Sequence, residues 1–193
     1  MTDLPPLSER PRRRAIRTYG IATLALILGL AILSISSTHT AAPLPTADSI
    51  LVIKHEHTLT LLHGGQPIRR YRVALGRGGL GAKDRAGDNK VPEGTYRIVS
   101  RNPHSAFYRA LRVGYPTPQQ TAAAHARGVD AGGDIMIHGI RNGLGWLGPA
   151  HRLLDWTKGC IAVTDPEMDQ IWTAVPDGIP IEIRPRFRST PSL

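Results

Sequence analysis

The one cysteine of this 193-residue chain, Cys160, excludes an intramolecular disulfide, so a hydrophobic core must hold whatever fold it adopts. The length allows one such core plus an appendage. Cys160 is also the sharpest chemical clue. It lies in the run Asp155-Trp156-Thr157-Lys158-Gly159-Cys160-Ile161-Ala162-Val163, which a glycine-rich connection joins to Ile135-Met136-Ile137-His138-Gly139. Only the thiolate attacks, and a nearby imidazole can generate it. Ile135 to Ile137 reads as a short buried strand that sets His138 at a strand end. Gly159 permits the close backbone approach that an oxyanion-binding turn needs ahead of a nucleophile. From these residues alone, an inert core cysteine beside isoleucine is an equally open reading.

The N-terminus points to export. Arg10, Arg12, Arg13, Arg14 and Arg17 precede an apolar run from Gly20 to Ile35, the charged and hydrophobic parts of an export signal. The run is near the lower limit for crossing a bilayer, so an uncleaved anchor fits as well as a cleaved signal. In either case residues 1–37 would leave their arginines in the cytoplasm and the rest in the cell envelope, on the periplasmic face of the inner membrane or in the wall. The whole chain carries 24 basic and 15 acidic side chains; residues 1–42 hold five arginines and two acids, leaving 19 against 13, net +6. Such a domain favours anionic surfaces. Nucleic acid is not expected, since aromatics are few and no nucleic-acid motif is present.

Residues 38–48, with Pro43 and Pro45, read as a linker to a single domain at 49–185, and 186–193 as a tail. Ile50–Lys54, Thr58–Leu62, Ile68–Leu75, Tyr96–Ser100 and Ile179–Ile183 read as strands, the third with Tyr71, Val73 and Leu75 on one face. Residues 76–90 hold five glycines and read as a long surface loop. Two helices are expected. One spans 118–126, with Thr117 as N-cap, Pro118 at the first position and Gly128 beyond the end. The other starts with Asp165 as N-cap and carries Met168, Ile171, Trp172 and Val175 as one apolar stripe. The pattern is mainly β with two short helices.

Ile137-His138-Gly139 followed by Thr157-x-Gly159-Cys160-Ile161 resembles the signature of the L,D-transpeptidase catalytic domain family, YkuD. Leu51-Val52-Ile53, Tyr71-x-Val73-x-Leu75-Gly76, Gly87-Asp88, Pro92-Glu93-Gly94-Thr95-Tyr96 and Gly178-x-Pro180-Ile181 agree in the same order, so the resemblance runs over about residues 49 to 185. It implies a mixed β-sandwich-like sheet with the cysteine beside a cleft. It also implies a cysteine-dependent L,D-transpeptidase acting on peptidoglycan stem peptides through a thioester, in wall biogenesis or remodelling. By the same resemblance Cys160 is the nucleophile and His138 the general base. The Gly139 backbone carbonyl orients His138, and the Gly159 and Cys160 amides hold the oxyanion. The thiolate would then be favoured by a neighbouring imidazolium.

The chain departs from the family pattern at Lys158, Ala162 and Val163, so the residues that bind substrate carboxylate do not carry over directly. Arg141 and Lys158 are the substitutes proposed from the sequence, with Trp146 and Trp156 as cleft walls. Both cations read more readily as solvated surface charges, since exposed charges are the norm. Asp155 positions or caps the turn before Thr157. His151 could be drawn with His138 and Cys160 as a zinc set, but the closer paired spacings of structural zinc are missing, so no metal and no cofactor is expected. The remaining histidines, His57 and His63 among them, read as surface or turn residues. A monomer is expected. The rival readings are a hydrolytic L,D-carboxypeptidase or amidase using the same thioester, and a wall-binding module without catalysis.

Overall fold

The computed structural model describes residues 44–186. The signal or anchor read at residues 1–37, most of the linker and the tail beyond 186 lie outside the described residues. Among the described residues no helix is long and apolar enough to cross a membrane.

Eight strands form a mixed sheet: β1 (Ser49–Ile53), β2 (Thr58–His63), β3 (Gln66–Arg72), β4 (Gly94–Ser105), β5 (Tyr108–Val113), β6 (Met136–His138), β7 (Ile161–Ala162) and β8 (Pro180–Arg184). Their order is β3-β2-β1-β8-β4-β5-β6-β7. The pairs β1–β8 and β6–β7 are parallel and the others antiparallel. β4 carries the bend. Gly94 to Arg97 pair with β8, and the rest pairs with β5 across two register shifts, where extra residues increase local twist. Beyond β3 the chain turns back so that Ala74 exchanges both backbone hydrogen bonds with Ala162 of β7, at 3.0 and 2.9 Å. The two ends of the curved sheet thus meet beside Cys160.

The core follows from strand alternation. Ile50 and Val52, Leu59 and Leu61, Tyr71, Val73 and Leu75, Leu111 and Val113, and Ile181 and Ile183 are buried together. Helix α1 (Pro118–Ala126) is closed at its start by a reciprocal pair: Gln120 N–H donates to Thr117 Oγ1 at 3.2 Å and Thr117 N–H to Gln120 Oε1 at 2.9 Å. Helix α2 (Asp165–Ala174) buries Met168, Ile171 and Ala174, with Val175 buried just past its end. Trp172 is only partly buried; its ring lies under the guanidinium groups of Arg101 at 4.9 Å and Arg109 at 5.4 Å.

Two expectations need correction. The N-cap of α2 is Thr164, not Asp165, which is already the first helical residue. Glu167 Oε2 closes the first turn by accepting from the Thr164 amide and hydroxyl, because the Asp165 carboxylate is engaged outside the helix. The strands β5 and β7 are additions to the strands read from sequence.

The loop at 76–90 is well built. Asp88 accepts from Lys83 Nζ at 2.8 Å and from the amides of Asp84, Arg85 and Lys90. Burial alone would raise its carboxyl, but the lysine and the amides outweigh it and hold it at about 2. Gly76 and Gly78 sit so close to the backbone of Asn89 and Asp88 that an added Cβ would lie 2.1 and 1.9 Å from their carbonyl oxygens. Lys54, fully buried, ties this loop to the sheet by donating to Gly81 O at 2.7 Å, Val91 O at 2.9 Å and Glu93 Oε1 at 2.8 Å.

Candidate active site

Parallel pairing of β6 with β7 brings the two halves of the motif together. Ile137 is registered with Ile161 and His138 with Ala162, which sets Cys160 beside Met136 at the mouth of the strand pair. Cys160 and His138 line one cavity of about 790 Å³, together with Arg77, Phe107, Asp134, Arg141, Trp156 and Lys158. Its size is within the usual range of small-ligand pockets.

His138 is 3% exposed. The rings of Phe107 and Trp156 cover it, with centroids at 4.7 and 5.7 Å. Its Nδ1 lies 2.6 Å from the Gly139 carbonyl oxygen. A carbonyl only accepts, so Nδ1 carries the proton and Nε2 keeps a lone pair free to take one. Burial lowers the imidazole's proton affinity, and the Gly139 hydrogen bond offsets this in part. Burial pushes the Cys160 thiol up; the Met136 amide opposes and the Asp134 charge adds to the rise. The thiol donates to the Asp134 carbonyl oxygen at 3.5 Å. Desolvation thus opposes both charged forms, the thiolate as well as the imidazolium, and works against the thiolate–imidazolium pair expected from the sequence.

Thr157 organises the turn that presents the cysteine. Its hydroxyl donates to Cys160 O at 2.8 Å and accepts from Gly159 N–H at 3.1 Å. This corrects the expected role of Gly159: its amide is committed to Thr157, whereas the Cys160 amide has no acceptor among the described residues. Gly159 itself is required by geometry. It has φ of 121°, and a Cβ would lie 2.8 Å from Lys90 O. Gly159→Ala is expected to displace the turn and slow acylation of Cys160 by on the order of 10²-fold, the scale of an ångström misplacement. Acylation followed by intact-protein mass spectrometry checks this; a wild-type rate would show that the turn tolerates a side chain. Asp155 positions the turn too, accepting from the Leu75 amide at 2.7 Å and pairing with His57 Nε2 at 2.9 Å. His57 is thus more than the surface residue expected, while His63 is an exposed residue at the end of β2.

Arg141 and Lys158 are exposed and line the cavity, and neither has an acidic partner among the described residues. Trp156 forms a wall, as expected. Trp146 does not: it is 79% exposed on the 3-10 segment Gly145–Leu153 and outside the cavity lining, its place taken by Phe107. Sequence reasoning missed Arg77, a third cation of the cavity, whose amide donates to Thr157 O at 3.0 Å. His151, set aside above as a zinc ligand, is buried. His151 Nδ1 accepts from Trp156 Nε1–H at 3.4 Å. Burial, with Arg152 nearby, lowers the His151 imidazole to about 4.

These two histidines set a pH dependence of stability. Their folded affinities for protons lie below the unfolded value near 6.5, so the unfolded chain binds more protons as pH falls. Stability is full above about pH 6.5 and is expected to decline from there towards pH 4. Asp88 acts only below that window, since its contribution is complete above 3.8 and fades through about 2. Urea unfolding at pH 7, 5.5 and 4.5 should give falling midpoints; a flat profile would contradict the assignment of both imidazoles as neutral.

A thiol and a carbonyl-locked imidazole in one cationic cavity are the parts of a cysteine–histidine centre for acyl chemistry. The sequence as a whole narrows the class: residues 47–183 match the L,D-transpeptidase catalytic domain family, YkuD, and the chain belongs to it. Over 133 residues it is 34% identical to YafK of Escherichia coli K12, whose name assigns it provisionally to the L,D-transpeptidases; the match covers 65% of this chain and 46% of that protein. The chain thus spans about half the length of the curated relatives it matches. The fold is similar to that of the helical cell shape determining protein Pgp2 from Campylobacter jejuni, with TM-score 0.57 and 21% identity over 76% of this chain and 51% of that one. It is also similar to Bd1075 of Bdellovibrio bacteriovorus, with TM-score 0.52 and 22% identity over 76% and 53%.

Proposed function

We propose that the domain is a cysteine-dependent L,D-transpeptidase that acts on peptidoglycan stem peptides through a thioester acyl-enzyme. The observation that carries this reading is the shared cavity of Cys160 and His138, with His138 Nδ1 fixed by Gly139 so that Nε2 is the proton acceptor. Substrate binding expels water and brings the stem-peptide amide to Sγ. The thiol proton passes to Nε2 as sulfur attacks the carbonyl carbon, and the Cys160 amide holds the resulting oxyanion. His138 then gives that proton to the departing D-alanine nitrogen, leaving the thioester. An amine acceptor resolves it, with His138 taking the amine proton and the thiol leaving.

Arg77, Arg141 and Lys158 supply three positive charges for the carboxylates of the stem peptide. Residues 1–42 direct export of the domain to the envelope, where that substrate lies. A reporter fused after Ser49 should be active only outside the cytoplasm.

Purified protein incubated with muropeptides, its products read by mass spectrometry, tests the function. Cross-linked dimers support transpeptidation. Shortened monomers point to the hydrolytic carboxypeptidase, and no change on any stem peptide contradicts catalysis.

A further inference from the structure

The peptide bond between Gly139 and Ile140 is gripped from both sides. Its carbonyl oxygen accepts from His138 Nδ1 at 2.6 Å, and its N–H donates to Asp165 Oδ1 at 2.8 Å. Asp165 lies at the first residue of α2, where the positive end of a helix favours a carboxylate. The fit around the carboxylate is close. A Cβ on Gly139 would lie 2.6 Å from Asp165 Oδ1, and one on Gly145 would lie 2.5 Å from Oδ2. Both glycines leave room for this side chain at positions where their own φ imposes no such need.

We propose that Asp165 is the remote carboxylate of the active site, a positioning residue that acts on His138 through the Gly139–Ile140 peptide. The inference rests on the reading of His138 as the base. An N–H held by a carboxylate shifts amide electron density towards the carbonyl oxygen, and hydrogen bonds in such a chain strengthen one another. The Gly139 oxygen becomes a better acceptor when the imidazole takes the thiol proton and turns cationic. Asp165 thereby stabilises the charge that forms in the step, and it also fixes the orientation of the peptide that sets the tautomer. A bare carbonyl would do the second task and less of the first.

On the His138 side are Cys160, His151 and the cavity cations Arg77, Arg141 and Lys158, with Asp134 across the cavity. Among the described residues, the Arg152–Glu167 pair stands beside His151. On the Asp165 side the Tyr108 phenol stands near, donating to Asp169, which also pairs with Arg109. His151 stays neutral above about pH 5 with its pKa near 4, and the Asp169 hydrogen bond raises the Tyr108 phenol, so neither titrates between pH 5 and 9.

The test is Asp165→Asn, which keeps an oxygen acceptor for Ile140 N–H while removing the charge. The readout is the rate of Cys160 acylation by a carbapenem between pH 5 and 9, with far-UV circular dichroism and the unfolding midpoint as fold controls. A directly bonded triad aspartate costs about 10⁴ in turnover when changed to asparagine, because the tautomer is lost. Here Gly139 still holds the tautomer, so the loss should be about tenfold, the equivalent of one pKa unit. The limb on which His138 loses its proton should move to lower pH, since the imidazolium is then less stabilised. Gly145→Ala, which forces the carboxylate aside without altering charge, should move the profile the same way.

His138→Ala, run in parallel, separates the two claims. If His138→Ala is inactive while both other variants are folded and keep the wild-type rate and profile, the role of Asp165 is overturned and the base stands. If His138→Ala itself keeps the wild-type profile, the reading of the base falls and this inference with it.

Discussion

Cys160→Ala is expected to abolish turnover and to leave the fold intact. Removing the nucleophile from an acyl-transfer centre costs on the order of 10⁶ in rate, and alanine leaves no group to form the thioester. Cys160 is partly exposed at the edge of the cavity, and the turn that presents it is held by Thr157 through backbone groups that alanine retains. Cys160→Ser should be inactive too, since a hydroxyl is far harder to deprotonate than a thiol in a pocket where burial already disfavours the anion. Wild-type protein should take up one carbapenem, at Cys160, and the alanine variant none. Turnover of muropeptides by Cys160→Ala would remove the thioester from the mechanism altogether.

The second large effect is on stability. Lys54 lies with its ammonium wholly buried among two carbonyls and the Glu93 carboxylate, so its charge is paired and its donors are satisfied. Lys54→Ala leaves the Gly81 and Val91 carbonyls and Glu93 without their partner and opens a cavity where the stem lay. Breaking a buried pair costs about 3–5 kcal/mol; Glu93 is a quarter exposed and can take up water, which favours the lower end, about 3 kcal/mol. The loop at 76–90 should loosen as well. Since the Lys90 carbonyl packs against Gly159, acylation of Cys160 should slow even in the fraction that remains folded. Urea unfolding checks the first effect; a loss below about 1 kcal/mol would show that the lysine is dispensable to the core.

Much of this was legible in the chain because the signals were local. Thr117 followed by Pro118 specifies the start of α1 locally, and the structure caps that helix with the Thr117 side chain, adding Gln120 as its reciprocal partner. The alternation of Tyr71, Val73 and Leu75 puts all three in the core. What sequence reading missed depends on contacts between distant segments. β5 was hidden because Arg109 and Arg112 interrupt its apolar pattern; the first lies over the Trp172 ring and the second pairs with Asp134 at 3.0 Å. Asp165 followed by proline satisfies the local rule for an N-cap, yet its carboxylate bonds an amide 25 residues away. Lys54 closes the run read as a strand at Ile50–Lys54, and only Glu93, 39 residues on, explains its burial. The same holds at the site. Arg77 enters the cavity because the ends of the sheet meet at Ala74 and Ala162, a closure that no local pattern encodes. Trp146 and Trp156 are alike by composition, and the fold alone decides which of them faces His138.

The central claim is that Cys160 forms a thioester with a peptidoglycan stem peptide by means of His138. The most direct measurement mixes wild-type protein with a stem tetrapeptide, quenches in acid within the first turnover, and reads the intact and digested masses. An adduct equal to the tetrapeptide less D-alanine is expected on the peptide that contains Cys160, and no adduct in His138→Ala on the same timescale. Product formation without any adduct, or an adduct on a residue other than Cys160, would contradict it.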